Sequence, residues 1–315
     1  MGLLKQAGSD SERESGLVGR RVVIATFGSL GDLHPYMAVA LGLQDRGHHV
    51  TIGTGDYYRA KIEAAGIGFA PVRPDFTDQL EIKKLVRDVM DKRKGPEFVV
   101  RKVVMPHIRD SYDDLMRITA GADLLVTHTL TYAGPVVAEK LAIPWVSVAL
   151  QPFMFFSFYD ELEFAPAPWL SRVRRVSPPL YRIILRMLMT MTGKWAEPIE
   201  SLRSDVGLGP SSGNPMFAGQ HSPYLILALF SPELCRPFPD WPANVKTTGF
   251  AFYDRHGVGG LPAELETFLQ AGPPPVVFTL GSAAVMDAGE FYAHSAQAGV
   301  TPRNPASALT ELPGW

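Results

Sequence analysis

From Val22 to Val72 the chain alternates short apolar β-rich runs with short helical ones. Val22–Phe27 (VVIATF) is followed by a glycine-containing loop and a helix closed by Gly47. His49–Gly53 (HVTIG), a helix over Tyr57–Ala65 and a third run at Ile67–Val72 come next. Unbroken apolar strands are those buried on both faces, and strands joined through helices run parallel. The pattern predicts an α/β fold, a Rossmann-like doubly wound parallel sheet. Asp123–Thr127 and Trp145–Ala149, with a helix over Pro135–Leu141 between them, extend it, as do Tyr224–Leu229 and Val245–Gly249. Within the first crossover, Gly28–His34 reads as loop and Pro35 as the first helical residue. Pro74–Ala120 is charged and helical in pattern, with a break at Pro106.

A chain of 315 residues has room for about two domains. The expected organisation is a disordered polar leader over residues 1–20, a Rossmann-like domain over 21–249, a proline-rich linker over 250–275, and a new sheet opening at Val276–Leu280 (VVFTL). Thirty Lys and Arg against 32 Asp and Glu leave no basic footprint, so nucleic acid is not an expected partner. Cys235, the sole cysteine, excludes an intrachain disulfide and a thiolate zinc site, which fits a reducing cytoplasm. The uncharged stretch Leu141–Phe158 carries Pro144, Gln151 and Pro152, so it reads as a buried strand running into an apolar loop and not as a spanning helix. The expectation is a soluble protein of the cytoplasm, with peripheral membrane contact open among its partners.

Chemistry concentrates in Thr26–Pro35 (TFGSLGDLHP). Gly28 and Gly31 permit a tight turn from strand to helix, and the helix start offers free N–H groups and a positive dipole end. A carboxylate there, Asp32, is placed either to take a proton from a substrate hydroxyl or to cap the helix. His34, in the same loop, is the next catalytic candidate after Asp32, and His128 directly follows a strand, at the sheet edge where α/β folds bind ligands. The glycines give G-x-x-G, short of the dinucleotide fingerprint, and Ser29 is misplaced for a nucleophile elbow. None of the eight histidines shows metal-ligand spacing, so no metal is expected. The aromatic and methionine-rich stretch Gln151–Met191 reads equally as core or as the wall of an apolar ligand site. Phe153, Phe155 and Phe156 are the candidates for that wall, and Ile183, Ile184, Leu185 and Leu188 for the core.

Val23–Val50 resembles the amino-terminal opening of glycosyltransferases with the two-Rossmann (GT-B) fold, in the group of sterol glucosyltransferases, glycopeptide-antibiotic glycosyltransferases and rhamnolipid rhamnosyltransferases. The resemblance rests on Gly28-Ser29-Leu30-Gly31-Asp32 with Pro35, on Ala40–Val50 (ALGLQDRGHHV) and on Ala64–Pro71 (AAGIGFAP). It continues in Leu229–Pro237 (LFSPELCRP), Pro239–Pro242 (PDWP), Thr248-Gly249-Phe250 and Pro275–Ser282 (PVVFTLGS), covering about Arg21 to Ala298. The resemblance implies inverting transfer of a sugar from a nucleotide-diphosphate donor to an acceptor hydroxyl, with no cofactor and usually no essential metal. It implies that Asp32 is the general base and that Gly281 and Ser282 meet the donor diphosphate; Ser29, in the motif loop, and His128, at the strand end, are the further candidates for contact with the acceptor.

The histidine- and glycine-rich donor motif of that group has no counterpart here, and Gly299–Trp315 reads as loop. The expectation is therefore the amino-terminal half of a GT-B fold with only the start of a second Rossmann-like domain. Such a chain would be the acceptor domain of a glycosyltransferase for a lipid, sterol or polyketide-like hydroxyl. It would bind nucleotide sugar only with a donor domain supplied and be inactive alone. A non-catalytic module for an apolar hydroxylated ligand, and half of a split enzyme, stay open beside it.

Overall fold

The apolar runs assemble into one parallel sheet. The computed structural model describes residues 19–76, 85–91, 93–160, 168–211, 213–254, 261–282 and 284–299. The strands are β1 (Arg21–Ala25), β2 (His49–Thr54), β3 (Gly68–Pro71), β4 (Leu124–His128), β5 (Trp145–Ala149), β6 (Leu225–Ala228) and β7 (Val245–Thr247). Their order is β3-β2-β1-β4-β5-β6-β7, every pair parallel, with Ile24 opposite both Ile52 and Val126. The chain order reverses between β1 and β4, which opens a crevice beyond their carboxyl ends. The doubly wound α/β sheet expected from the sequence is what the structure shows.

Successive strand side chains face opposite layers, and each layer has its own core. Val22, Ile24, Val50 and Ile52 pack under α1 (Leu30–Gln44) and α2 (Arg59–Ala64). Val23, Ala25 and Leu125 meet the other layer, built from α4 (Ile108–Thr119), α5 (Ala133–Leu141) and α8 (Glu197–Asp205). Ahead of α4 lie α3 (Gly95–Phe98), a π-helical stretch over Val99–Val104 and a 3₁₀ turn at Met105–His107 containing the Pro106 break. Two further helices, α6 (Leu170–Val176) and α7 (Pro178–Met191), follow β5. The helices α9 (Ala263–Gln270) and α10 (Phe291–Gly299) follow β7.

Three expectations are corrected. The first crossover helix begins at Leu30, not Pro35, because Ser29 and Asp32 form a reciprocal capping box that starts it earlier. Val276–Leu280 is not a strand: Val276, Val277 and Phe278 are exposed, and β propensity alone does not make a strand without a neighbour to complete its ladder. Ile183 does not join the core; it is 64% exposed on α7. Residues 1–18, most of the expected leader, and 300–315 lie outside the described residues.

Candidate functional site

Gly28, three residues past the end of β1, takes φ +134°, a backbone conformation open to glycine, and this turns the chain into α1. A side chain at residue 28 would have its Cβ 2.2 Å from Asp32 Oδ2, so the glycine also makes room for the carboxylate. Tyr58, after β2, donates its hydroxyl to the Gly28 carbonyl at 2.9 Å and pins the loop. Burial, Asp32 and Tyr57 together push that phenol up to about 12, so at neutral pH it keeps the proton it donates.

The two oxygens of Asp32 have different duties. Oδ2 accepts from the Ser29 backbone N–H at 2.7 Å and from the Ser29 hydroxyl at 3.1 Å, while Ser29 Oγ accepts from Gly31 N–H at 3.2 Å. Oδ1 faces His128 Nε2 at 3.7 Å, beyond hydrogen-bond length. His128 ends β4 and is 2% exposed. Burial lowers its pKa to about 4, and Asp32 only partly offsets that, so the ring is neutral at pH 7. Its Nδ1 accepts from the Leu130 N–H at 3.3 Å, which leaves the proton on Nε2, pointing at Asp32 with no other partner in the described residues. Tyr36, one helical turn beyond Asp32, packs edge-on against this imidazole at 5.9 Å between centroids.

A cavity of about 330 Å³ opens at this point, over the carboxyl ends of β1 to β4. Phe27, Gly28, Ser29, Leu30 and Asp32 form one side; Tyr57, Tyr58 and Phe76 come from the loops after β2 and β3. The opposite wall is apolar: Leu85, Val86, Val89, Met90, Val99 and Val103. Asp32 and Asp75 are the carboxylates of the lining, Asp75 accepting from the Asp56 N–H at 2.9 Å, and a mostly apolar cavity with so few polar groups suits an apolar ligand. Ser282 also lines the cavity, and its Oγ accepts from the Gly31 N–H at 3.3 Å, across 251 positions of sequence. No cluster of three or more His, Cys, Asp or Glu gathers as a metal site among the described residues.

The sequence candidates thus divide. Ser29, Asp32 and Ser282 meet at the cavity, with His128 buried directly behind Asp32. Gly281, exposed, precedes Ser282 without joining the cavity wall. His34 lies two residues past Asp32, about 200° around the helix. It packs on Tyr253 at 5.2 Å, away from the cavity, and burial and Lys61 lower its pKa. Phe155 stacks on Trp241 at 4.0 Å and His221 at 5.4 Å, Phe156 stands edge-on to Phe217, and Phe153 is exposed; none lines the cavity. The wall that sequence reasoning missed carried a signal, since Leu85 and Val89, and Val99 and Val103, each recur at i and i+4.

Residues 22–155 match the glycosyltransferase family 28 N-terminal domain. The chain is 30% identical over 271 residues to O-mycaminosyltylonolide 6-deoxyallosyltransferase of Streptomyces fradiae, across 83% of this chain and 61% of that protein. It is 27% identical over 288 residues to a sterol 3-beta-glucosyltransferase of Arabidopsis thaliana, covering 85% of this chain and 42% of the relative. The chain therefore spans between two fifths and about three fifths of the length of these relatives. Among solved structures, a spinosyn forosaminyltransferase superposes with a TM-score of 0.53 at 18% identity, over 88% of this chain and 62% of that one. A spinosyn rhamnosyltransferase gives 0.53 at 17%, over 91% and 64%. At these identities the likeness is one of fold.

Proposed function

We propose, from the match of residues 22–155 to the glycosyltransferase family 28 N-terminal domain, that the chain holds the acceptor in an inverting sugar transfer. The donor is a nucleotide-diphosphate sugar. The acceptor is an apolar molecule with a hydroxyl, of the sterol or polyketide class on which the relatives act by name. Residues 21–249 form the acceptor-binding unit, 250–275 the linker, and 276–315 the opening of the donor side.

The observation that carries this reading is the divided carboxylate of Asp32, with Oδ2 spent on the helix cap and Oδ1 uncommitted at the mouth of an apolar cavity. In the transfer, Oδ1 takes the acceptor hydroxyl proton as the oxygen attacks the anomeric carbon. The bond from that carbon to the diphosphate breaks on the opposite side, and the leaving phosphate keeps its electron pair. Two neighbours support the base. The Ser29 N–H and hydroxyl fix its rotamer, and the His128 ring, uncharged at pH 7, turns its Nε2–H toward Oδ1 without setting a positive charge beside the base. Ser282, bonded to the start of α1, brings the donor loop to the same mouth.

The test uses this chain for acceptor binding and a mixture or fusion with a relative's donor domain for transfer. Asp32→Asn keeps an oxygen for the cap, so stability should change by no more than about 1 kcal/mol. Turnover should fall by roughly 10²–10⁴-fold, the range for a lost general base, with acceptor affinity little changed. Full turnover in that variant would overturn the assignment.

A further inference from the structure

The face formed by α6 and α7 is unlike the rest of the molecule. Along α7, Leu180, Ile183, Met187 and Met191 recur at helical spacing and are all exposed, Ile183 and Met191 at 64%. The stripe continues through Val176, 85% exposed at the end of α6, to Trp169 at its start. The other side of α7 is apolar as well, with Tyr181 buried and Ile184, Leu185 and Leu188 half-buried toward the body. A helix apolar all round is ordinarily buried in a core or in lipid, yet here one side stands in water. Contiguous exposed apolar surface of this kind marks an interaction site.

Charge identifies the partner. Residues 168–196 hold six cations and no Asp or Glu, in a chain whose overall net charge is −2. Arg172, Arg175, Arg186 and Lys194 are exposed beside the stripe. Arg174, Arg182 and Arg186 also tie the face to the preceding segment, Arg174 through the Tyr159 and Asp160 carbonyls, Arg182 over the Tyr159 ring and Arg186 over the Phe158 ring at 5.2 Å. A second copy of the chain is a poor occupant, since a two-fold contact would set these cations against themselves. Exposed apolar residues rimmed by arginine and lysine, with a tryptophan at the border, form the surface that lies in the headgroup boundary of a negatively charged bilayer.

We propose that α6 and α7 dock this protein onto an anionic lipid bilayer, with Ile183, Met187 and Met191 entering the headgroup boundary and the four exposed cations meeting lipid phosphates. The surface is separate from the Asp32 cavity, and its test does not depend on sugar transfer. The full chain is sedimented with vesicles of phosphatidylcholine alone and of equal parts phosphatidylcholine and phosphatidylglycerol. At about 0.1 M salt the anionic vesicles should carry the protein down and the neutral ones should not, and about 1 M salt should release it. Arg172→Gln and Arg175→Gln should each weaken partition roughly fivefold. Ile183→Asp with Met187→Asp, both at exposed positions, should abolish it, with circular dichroism confirming that the fold survives. The proposal is overturned by equal partition onto both vesicles, by no partition onto either, or by arginine variants that bind as the parent does. Self-association that Ile183→Asp dissolves would also overturn it, because the occupant would then be a second copy.

Discussion

Replacing His128 by glutamine should flatten the acid side of the stability curve. His128 sits 2% exposed at the end of β4, where burial holds its pKa near 4, against 6.5 for an exposed imidazole. Its folded value lies below its unfolded one, so between these two pH values the unfolded chain binds more protons. The stability linked to the neutral ring is therefore complete above about pH 6.5 and lost progressively as pH falls toward 4. At pH 5 the unfolded imidazole has gained about 1.5 pH units of protonation that the folded one resists, which amounts to about 2 kcal/mol. His221, whose pKa burial also lowers to about 4, adds a similar loss and stays in place as an internal reference. Urea unfolding at about pH 7.5 and about pH 5 measures the drop in parent and variant. His128→Gln should show a drop smaller by about 2 kcal/mol, while its glutamine oxygen can still accept from the Leu130 N–H. Equal drops in the two proteins would refute the reasoning, as would an imidazole signal for His128 that titrates near its ordinary value.

Gly28→Ala should lose stability and site together. It imposes a side chain at φ +134° and drives its Cβ into Asp32 Oδ2, so unfolding free energy should fall by about 2–3 kcal/mol, and transfer by the fusion with a relative's donor domain should collapse with it. Parent-like melting and turnover would refute that account of the turn. Leu85→Ala and Phe155→Ala separate cavity from core. Leu85→Ala should weaken binding of a sterol probe by roughly tenfold or more, in proportion to the methylenes removed from the cavity wall. Phe155→Ala should cost about 2–4 kcal/mol of stability through the lost stack on Trp241 and leave probe affinity unchanged. Calorimetric titration with the probe reads both, and reversed roles would restore the aromatic stretch as the acceptor wall.

The parallel sheet is legible in the sequence because its strands are continuous apolar runs, a pattern that burial on both faces demands and few other settings permit. Trp145–Ala149 has the bounds in the structure that its sequence suggests. Asp32 and His128 are legible as loop and strand-end residues, but their meeting is not: they lie 96 positions apart, and the β1–β4 pairing brings them together. Pro35 misleads about the start of α1, because the Ser29 to Asp32 spacing, the sequence form of a capping box, decides it instead. Phe153–Phe156 stands out by density of rings, yet ring density is equally the mark of a stacked core, which is where Phe155 sits. Val276–Leu280 shows the limit of propensity, since strand-forming residues without a paired edge form no strand and leave Val276, Val277 and Phe278 exposed.

Because one oxygen of Asp32 closes the cap of α1 and the other faces the cavity, selection for folding alone is enough to retain the residue. A descendant that had ceased to move sugar would still keep an acid there, so its presence in a related sequence is weak testimony for activity. His128 is the sharper witness. Its buried Nε2–H has no hydrogen-bond partner among the described residues, and an apolar side chain of similar size would relieve that cost. A lineage released from transfer should therefore drift toward an apolar residue at this strand end while its aspartate stays, and surveying the two positions together would sort working enzymes from silent ones.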